Sequence, residues 1–183
     1  LHGPCASYDT ACSSALVACD AGIRALQLEL CPAGVASGVF LMLAPATAVS
    51  FAIAGMTSAR GRSHTFDARA DGYARGEACV AVSLLDALSG VAADSTAVRG
   101  SAVRQDGRSA SLTAPNGQAQ RALLAAALAD GGASAASLAH SEAHGTGTAL
   151  GDPIEVGSLA GALGLGSRVA ESAVVVSGVK ANI

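Results

Sequence analysis

The stretch Asp9-Thr10-Ala11-Cys12-Ser13-Ser14 lies where a loop gives way to a helix. From Ser13 to Leu30 apolar residues recur every three or four positions, which predicts an amphipathic helix. Asp9 and Thr10 are good capping residues, so we expect Cys12 in the first turn or at the cap. Unpaired N–H groups and the helix dipole favour negative charge there, and therefore the thiolate, the nucleophilic form of cysteine. The alternative is that Cys12 is a small buried hydrophobe, as most free cysteines are.

A glycine- and threonine-rich loop near the end of the chain contains a second reactive residue, His144. Residues 138–144 are predicted to form a short strand, which continues into the loop His144-Gly145-Thr146-Gly147-Thr148. Asp152 as N-cap and Pro153 as the first helical residue predict a helix after this loop. A histidine between a strand and a helix lies where catalytic groups collect in α/β proteins, although a lone histidine is more often a satisfied core residue. Together with a thiol at a helix start, it indicates nucleophilic acyl transfer.

The remaining chain alternates predicted strands with predicted helices around one long polar loop. The strands are 36–43, 78–85, 97–103 and 173–177, the helices are 46–54, 118–130 and 152–163, and the loop is 55–76. Strands that alternate with helices predict an α/β protein. Two of the strands, 78–85 and 173–177, are almost wholly apolar and are therefore predicted to be buried.

Composition excludes several classes of partner. The chain has 183 residues and a net charge of −3, which gives no support for a nucleic-acid partner. No apolar run is long enough to cross a bilayer, and no signal-peptide pattern opens the sequence, so we expect no membrane partner and a cytoplasmic location. The five cysteines form no CxxC pair, which favours separate, reduced thiols.

Seven segments of the chain together resemble one enzyme family. In chain order they are Gly3-Pro4 with Asp9-Thr10-Ala11-Cys12-Ser13-Ser14, Thr65-Phe66-Asp67-Ala68-Arg69-Ala70-Asp71-Gly72-Tyr73, Arg75-Gly76-Glu77, Gln105-Asp106-Gly107-Arg108, Leu112-Thr113-Ala114-Pro115-Asn116-Gly117, the stretch from Glu142 to Val156, and Val179-Lys180-Ala181-Asn182-Ile183. In their order and spacing these segments resemble the beta-ketoacyl synthases, in the form common in modular and iterative polyketide synthases. The departures, Ala78 and the inverted pair Ser177-Gly178, exchange one small residue for another.

The resemblance implies a fold and a division of the chain. Ketosynthases have the thiolase-like layered α/β/α/β/α fold, which is built from two similar halves. By this resemblance residues 1–90 are the C-terminal part of the first half, with the nucleophile, and residues 91–183 are the N-terminal part of the second. The family's second catalytic histidine follows the lysine motif and is not among these 183 residues. We therefore expect an internal fragment of a ketosynthase domain.

The resemblance also implies a reaction and its residues. Cys12 would take an acyl group from a thioester, and His144 would stabilise the enolate formed when a malonyl-type extender loses carbon dioxide. Lys180 would support the histidines electrostatically, and Thr146 and Thr148 would hydrogen-bond a phosphopantetheine arm. The expected partners are acyl carrier protein and a second copy of the complete domain, and no bound metal or redox cofactor is required. The product would be a polyketide or a fatty acid.

Two alternatives belong to other functional classes. His140, Glu142 and His144 alternate along a predicted strand, which would place three metal-ligating side chains on one face and favour a metal-dependent hydrolase. That hypothesis leaves the Cys12 segment and Lys180 unexplained. The second alternative is a non-condensing ketosynthase-like remnant, or interaction module, which could load an acyl group without decarboxylation.

Overall fold

The computed structural model describes residues 2–86, 96–111, 114–164 and 173–182. Its helices and strands are α1 Ser14–Gln27, β1 Ala33–Phe40, α2 Pro45–Ile53, β2 Ala78–Leu85, α3 Gly117–Asp130, β3 His140–Glu142, α4 Gly151–Leu163 and β4 Val175–Ser177. This order is the predicted mixture of helices and strands. Within these ranges no helix has the length and apolar content that crossing a membrane requires. Leu112, Thr113 and Ile183 of the quoted motifs, and the proposed division at residue 90, lie outside the described residues.

The described chain forms two compact units. One comprises the described parts of Leu1–Met42 and Gly76–Arg99, and the other comprises those of Leu43–Arg75 and Gly100–Ile183. The first unit therefore contains Cys12, whereas the second contains His144 and Lys180.

The first unit is an antiparallel strand pair with α1 packed on it. β1 and β2 pair over their whole length, from Ala33 opposite Leu85 to Phe40 opposite Ala78. Gly38 lets the helix approach the sheet closely, because a Cβ built there would lie 2.9 Å from the Cβ of Ala15. The small residues of this sequence thus place the helix that follows Cys12 directly on β1.

The helix after Cys12 is shorter than its apolar periodicity predicts. It ends at Gln27 because Glu29 adopts a left-handed conformation, with φ +56°. The N–H groups of Glu29 and Leu30 then donate to the carbonyls of Leu26 and Ala25, which is the hydrogen-bond pattern of a Schellman cap. Since glycine usually occupies this position, the sequence carries no signal for the end of the helix.

The prediction that β2 is buried is wrong for this structure. Of its eight residues only Leu84 is buried, and Val80 is 58% exposed. Within the described residues of the first unit, α1 is the helix that packs on the two-stranded sheet. The apolar composition of β2 is therefore not matched by burial within the described ranges.

The second unit contains a parallel strand pair and two packed helices. β3 pairs with β4, with His140 opposite Val175 and Glu142 opposite Ser177. Both strands are shorter than predicted. The prediction that β4 is buried is wrong for this structure, since Val175 is 61% exposed. α3 packs on α4, whose Leu159 and Leu163 form the buried apolar core.

One predicted strand, 97–103, does not form. The segment has no regular secondary structure and no ladder partner among the described residues. Its Ser101 N–H donates to the Asp130 carboxylate at the end of α3, at 2.9 Å. Val98 and Val103 are exposed. A strand requires a neighbour in the sheet as well as an apolar sequence, and local composition carries no information about the neighbour.

Candidate active site

Cys12 lies in a single 3₁₀ turn, Ala11–Ser13, immediately before α1. Its thiol is free and the residue is exposed, so the alternative of a buried hydrophobe is wrong. The Asp9 carboxylate accepts the Ala11 N–H at 3.1 Å, and Ser14 Oγ accepts the Thr10 N–H at 2.9 Å. The predicted position at the helix start is thus confirmed, although neither Asp9 nor Thr10 forms a side-chain cap of α1.

The backbone immediately before the thiol is in an unusual conformation. Ala11 has φ +54°, a left-handed value that residues with a Cβ rarely adopt. Hydrogen bonds on both sides hold this conformation, since the Ala11 N–H donates to Asp9 and the Ala11 carbonyl accepts from Ser14 Oγ at 2.8 Å. The sharp turn presents Cys12 in front of the N-terminus of α1, where backbone N–H groups favour an anion.

The histidine loop, residues 143–150 between β3 and α4, is held by a carboxylate from the helix that follows it. Glu155 Oε1 accepts the N–H of His144 at 2.6 Å, and Oε2 accepts the N–H of Gly145 at 2.9 Å. The carboxylate is one turn into α4 and faces back toward the loop. Glu155 therefore fixes the backbone on both sides of the His144 carbonyl.

Asp152 holds the other part of the same loop. It is only 4% exposed, and its Oδ1 accepts the N–H groups of Gly147 at 3.1 Å and Thr148 at 3.4 Å. Its Oδ2 accepts the N–H of Phe66, a residue 86 positions earlier, at 2.8 Å. The prediction that Asp152 is the N-cap is wrong: α4 begins at Gly151 with Leu150 as its N-cap. Because the helix starts two residues earlier than the predicted N-cap implies, Asp152 lies in its first turn and its carboxylate binds the loop.

Lys180 and His144 lie together in the second unit. The Lys180 ammonium donates a hydrogen bond to the carbonyl oxygen of His144, from a short 3₁₀ turn at Val179–Asn182. The two residues are 36 positions apart in the sequence, and the parallel pairing of β3 with β4 explains their meeting. Strands that run in the same direction deliver the residues after them to the same edge.

The imidazole of His144 is biased toward its neutral form. Although the residue as a whole is exposed, packing around the ring removes water and lowers its pKa below the ordinary 6.5. The positive charge of Lys180 lowers the pKa further, and the carboxylates of Glu155 and Asp152 oppose the shift. A neutral imidazole carries one N–H donor and one acceptor, so it can hydrogen-bond a developing oxyanion near pH 7.

The two threonines of the loop lie side by side. Their hydroxyl oxygens are 3.3 Å apart, and both side chains are half-buried. Thr148 Oγ1 also accepts the Gly151 N–H at 3.1 Å, at the start of α4. Among the described contacts, the Thr146 hydroxyl makes fewer hydrogen bonds than the Thr148 hydroxyl.

The ligand set of the metal-hydrolase hypothesis is not assembled. β3 ends at Glu142, so His144 lies in the loop and does not continue the alternation of the strand. The Glu142 carboxylate accepts hydrogen bonds from the Ser177 hydroxyl and the Val179 N–H, and these bonds hold its pKa below the usual range. His140 Nε2 lies 2.6 Å from Ser177 Oγ. In the described part of the chain, no group of three or more histidine, cysteine or acidic residues is arranged to hold a metal ion.

The residues that hold the histidine loop in place were not predicted from the sequence. As sequence, Asp152 and Glu155 indicate only the start of a helix, and Thr65 is one residue of a motif. Two carboxylates three positions apart share one face of a helix, and a loop with several glycine N–H groups precedes them. That combination is the signal that could have identified Asp152 and Glu155. No local signal connects Thr65 to residues 80 positions away.

Comparisons with known proteins agree along nearly the whole chain. The family models described as beta-ketoacyl synthase, N-terminal domain, and beta-ketoacyl synthase, C-terminal domain, match residues 1–89 and 95–183. Two different subunits of the phenolphthiocerol/phthiocerol polyketide synthase of Mycobacterium tuberculosis are similar to the chain. The identity is 44% over 186 residues with one of them and 43% over 187 residues with the other. All of this chain and 10% of each of those two proteins are covered.

Solved structures give the same family. An oxazolomycin ketosynthase domain from Streptomyces albus JA3453 matches with a TM-score of 0.92 and 35% identity, over 99% of this chain and 32% of that one. The ketosynthase from module 6 of the bacillaene synthase of Bacillus subtilis 168 matches with a TM-score of 0.88 and 32% identity, over 96% of this chain and 32% of that one. The chain thus spans about a third of these ketosynthases, and the predicted thiolase-like α/β fold class is confirmed. We conclude that the chain belongs to the beta-ketoacyl synthase family.

Proposed function

We propose that this chain supplies the nucleophile and one histidine of an acyltransferase that makes carbon–carbon bonds by decarboxylative Claisen condensation. The observation that carries the proposal is Cys12, an exposed thiol in a strained turn at the start of α1. Nucleophilic thiols require access to substrate, and the exposed thiol of this turn meets that requirement. The matched relatives, which are polyketide synthases and ketosynthase domains, support the assignment.

The first half-reaction loads the enzyme. The Cys12 thiolate attacks the carbonyl carbon of an acyl thioester on acyl carrier protein, and the bond from that carbon to the pantetheine sulfur breaks. The pantetheine thiol leaves with a proton, and the acyl group remains on Cys12. The backbone N–H of Cys12 is well suited to hold the transient oxyanion, because it belongs to the first turn before a helix.

The second half-reaction forms the new bond. A malonyl-type thioester loses carbon dioxide, and the electrons of the broken bond form an enolate. In the proposed mechanism a neutral His144 donates its N–H to the enolate oxygen, and Lys180 holds the His144 backbone and keeps the imidazole neutral. The enolate carbon attacks the acyl-Cys12 carbonyl, and the Cys12 thiolate leaves. These steps use no bound metal or redox cofactor.

Thr146 and Thr148 are proposed to bind the phosphopantetheine arm of the carrier protein. Their paired, half-buried hydroxyls lie two and four positions after His144, which is close enough to hold an arm whose thioester reaches the imidazole.

The proposal also includes a homodimer of the complete domain, a division of the chain near residue 90 and a cytoplasmic location. Polyketide synthesis is favoured over fatty-acid synthesis because the matched relatives are named for polyketides.

Peptide mapping tests the proposal directly. The full native polypeptide that contains this chain is incubated with acyl carrier protein bearing a short radiolabelled acyl group, digested, and examined by mass spectrometry. We expect the acyl mass on the peptide that contains Cys12, and release of β-ketoacyl product after malonyl carrier protein is added. Acylation elsewhere would contradict the proposed nucleophile. Loading without product would support the non-condensing remnant instead.

The proposed role of Lys180 gives a pH prediction. Lys180 lowers the pKa of His144, so replacing Lys180 by methionine should raise that pKa toward its ordinary value. Because the neutral form of His144 is the active one, the acid limb of the decarboxylation rate should move to higher pH. Lys180→Arg keeps the positive charge and should leave the limb nearer that of the parent. An unchanged limb in Lys180→Met would contradict the electrostatic role.

A further inference from the structure

Thr65 belongs to a motif that the proposed chemistry does not yet use. It lies on the long loop between α2 and β2, in the same compact unit as His144 and Lys180. Its hydroxyl Oγ1 donates a hydrogen bond to the carbonyl oxygen of Gly145 at 2.6 Å, and the side chain is half-buried. The residue immediately after His144 is therefore held by a side chain from a distant part of the sequence.

The methyl group of Thr65 contacts a second segment of the site. A Cβ built on Gly145 would lie 2.5 Å from Thr65 Cγ2, and a Cβ built on Gly178 would also lie 2.5 Å from it. Real Cβ atoms do not approach another carbon so closely, so the methyl group occupies the space that side chains at both positions would need. Gly178 is two residues before Lys180. One threonine thus fills the gap between the histidine loop and the lysine segment.

Neighbouring residues of the same loop hold both segments in the same way. The Phe66 N–H donates to Asp152, which binds the N–H groups of the histidine loop. The Arg62 guanidinium donates to the carbonyl oxygen of Ala181 at 3.0 Å, next to Lys180. The loop therefore contacts both segments independently of Thr65, which predicts that the fold survives loss of the Thr65 hydroxyl.

We propose that Thr65 is a positioning residue that sets the placement of the His144 backbone relative to Lys180. This inference rests on the proposed function, because it concerns the step that His144 and Lys180 would perform. The hydroxyl fixes the peptide that follows Gly145, and the methyl group fills the space between the histidine loop and the lysine segment. A displacement of about 1 Å in a catalytic group can lower a rate by about 100-fold, so a small shift at Thr65 should have a measurable effect.

Two substitutions at this position separate the hydroxyl from the methyl group. Thr65→Val retains the shape and removes the donor, whereas Thr65→Ser retains the donor and removes the methyl group. In the full native polypeptide we expect Thr65→Val to lower malonyl decarboxylation by about tenfold or more, while acyl loading of Cys12 stays within about twofold of the parent. Thr65→Ser should keep most of the decarboxylation rate of the parent. Thr47→Val, on the exposed face of α2, is the matched control and should leave both rates unchanged.

The pH dependence provides a readout that a purely structural role would not move. If the histidine loop shifts away from Lys180 in Thr65→Val, the lysine charge lowers the pKa of His144 less, and the acid limb of decarboxylation moves to higher pH. A loss of folded protein would instead lower loading and decarboxylation equally, with an unchanged limb, and this result would overturn the inference. Equal rates in Thr65→Val and the parent would also overturn it. Failure of the parent protein to load at Cys12 would contradict the proposed function itself, so the two failures are distinguishable.

Discussion

Replacement of Cys12 by alanine is expected to lower acyl loading by about 10⁴-fold or more, because no other group supplies the covalent bond. The turn at Ala11–Ser13 presents an exposed thiol in front of α1, and we propose this thiol as the nucleophile. Alanine fits the same backbone, since it removes one sulfur and adds nothing. The loss should therefore be chemical, with folding preserved, and intact-protein mass spectrometry after incubation with acyl carrier protein measures it.

Cys19→Ala is the matched control for this experiment. Cys19 is a free, partly buried thiol in α1, seven residues after Cys12. Its replacement should leave loading at the parental level, which would show that the two thiols are not interchangeable. If Cys12→Ala loads as well as the parent, the nucleophile assignment is wrong.

Replacement of Asp152 by asparagine is expected to have the largest effect on the geometry of the histidine loop. The buried carboxylate accepts three backbone N–H groups, from Phe66, Gly147 and Thr148. Asparagine has one acceptor oxygen, and its NH₂ group would face at least one of these donors. A buried donor left without a partner costs about 1–3 kcal/mol, and hydrogen bonds to a charged group are the stronger ones. We therefore expect a loss of about 2–3 kcal/mol in local stability.

Hydrogen exchange measures this loss where it occurs. Each 1.4 kcal/mol is a factor of ten in an equilibrium constant, so the N–H groups that Asp152 binds, those of Phe66, Gly147 and Thr148, should exchange about 30- to 140-fold faster in Asp152→Asn. Asp20→Asn is the control, because Asp20 forms a partly exposed i,i+4 ion pair with Arg24 at 3.7 Å in the other unit. Its exchange pattern in the histidine loop should match that of the parent. Unchanged exchange in Asp152→Asn would show that the carboxylate does not hold the loop.

Local signals predict much of the fold. α2, α3 and β2 form within one residue of their predicted bounds, and residues 55–76 contain no helix or strand of their own. In each case the deciding signal lies within the segment. Pro45 begins α2, and the glycines after Asp130 end α3. The motifs around Cys12, His144 and Lys180 can also be recognised in the sequence, because each of them is short and contiguous.

Long-range contacts explain what the sequence does not reveal. The strand expected at 97–103 has no described partner, and the partner is a property of the sheet rather than of the segment. Thr65 reaches Gly145 across 80 positions, and Phe66 reaches Asp152 across 86. Periodicity and propensity extend over about one or two turns of helix, so contacts of this kind are invisible to them.

The two acidic residues of α4 also limit how the histidine loop can meet its substrate. Glu155 and Asp152 already occupy four backbone N–H groups of the loop, those of His144, Gly145, Gly147 and Thr148. A glycine-rich loop before a helix would otherwise be an anion nest, able to attract phosphate or a carboxylate. Here the carboxylates of Asp152 and Glu155 already accept these N–H groups, so the groups are not free to bind another anion. In the proposed function, the loop therefore binds its thioester through imidazole and hydroxyl groups, because these four backbone N–H groups already have partners.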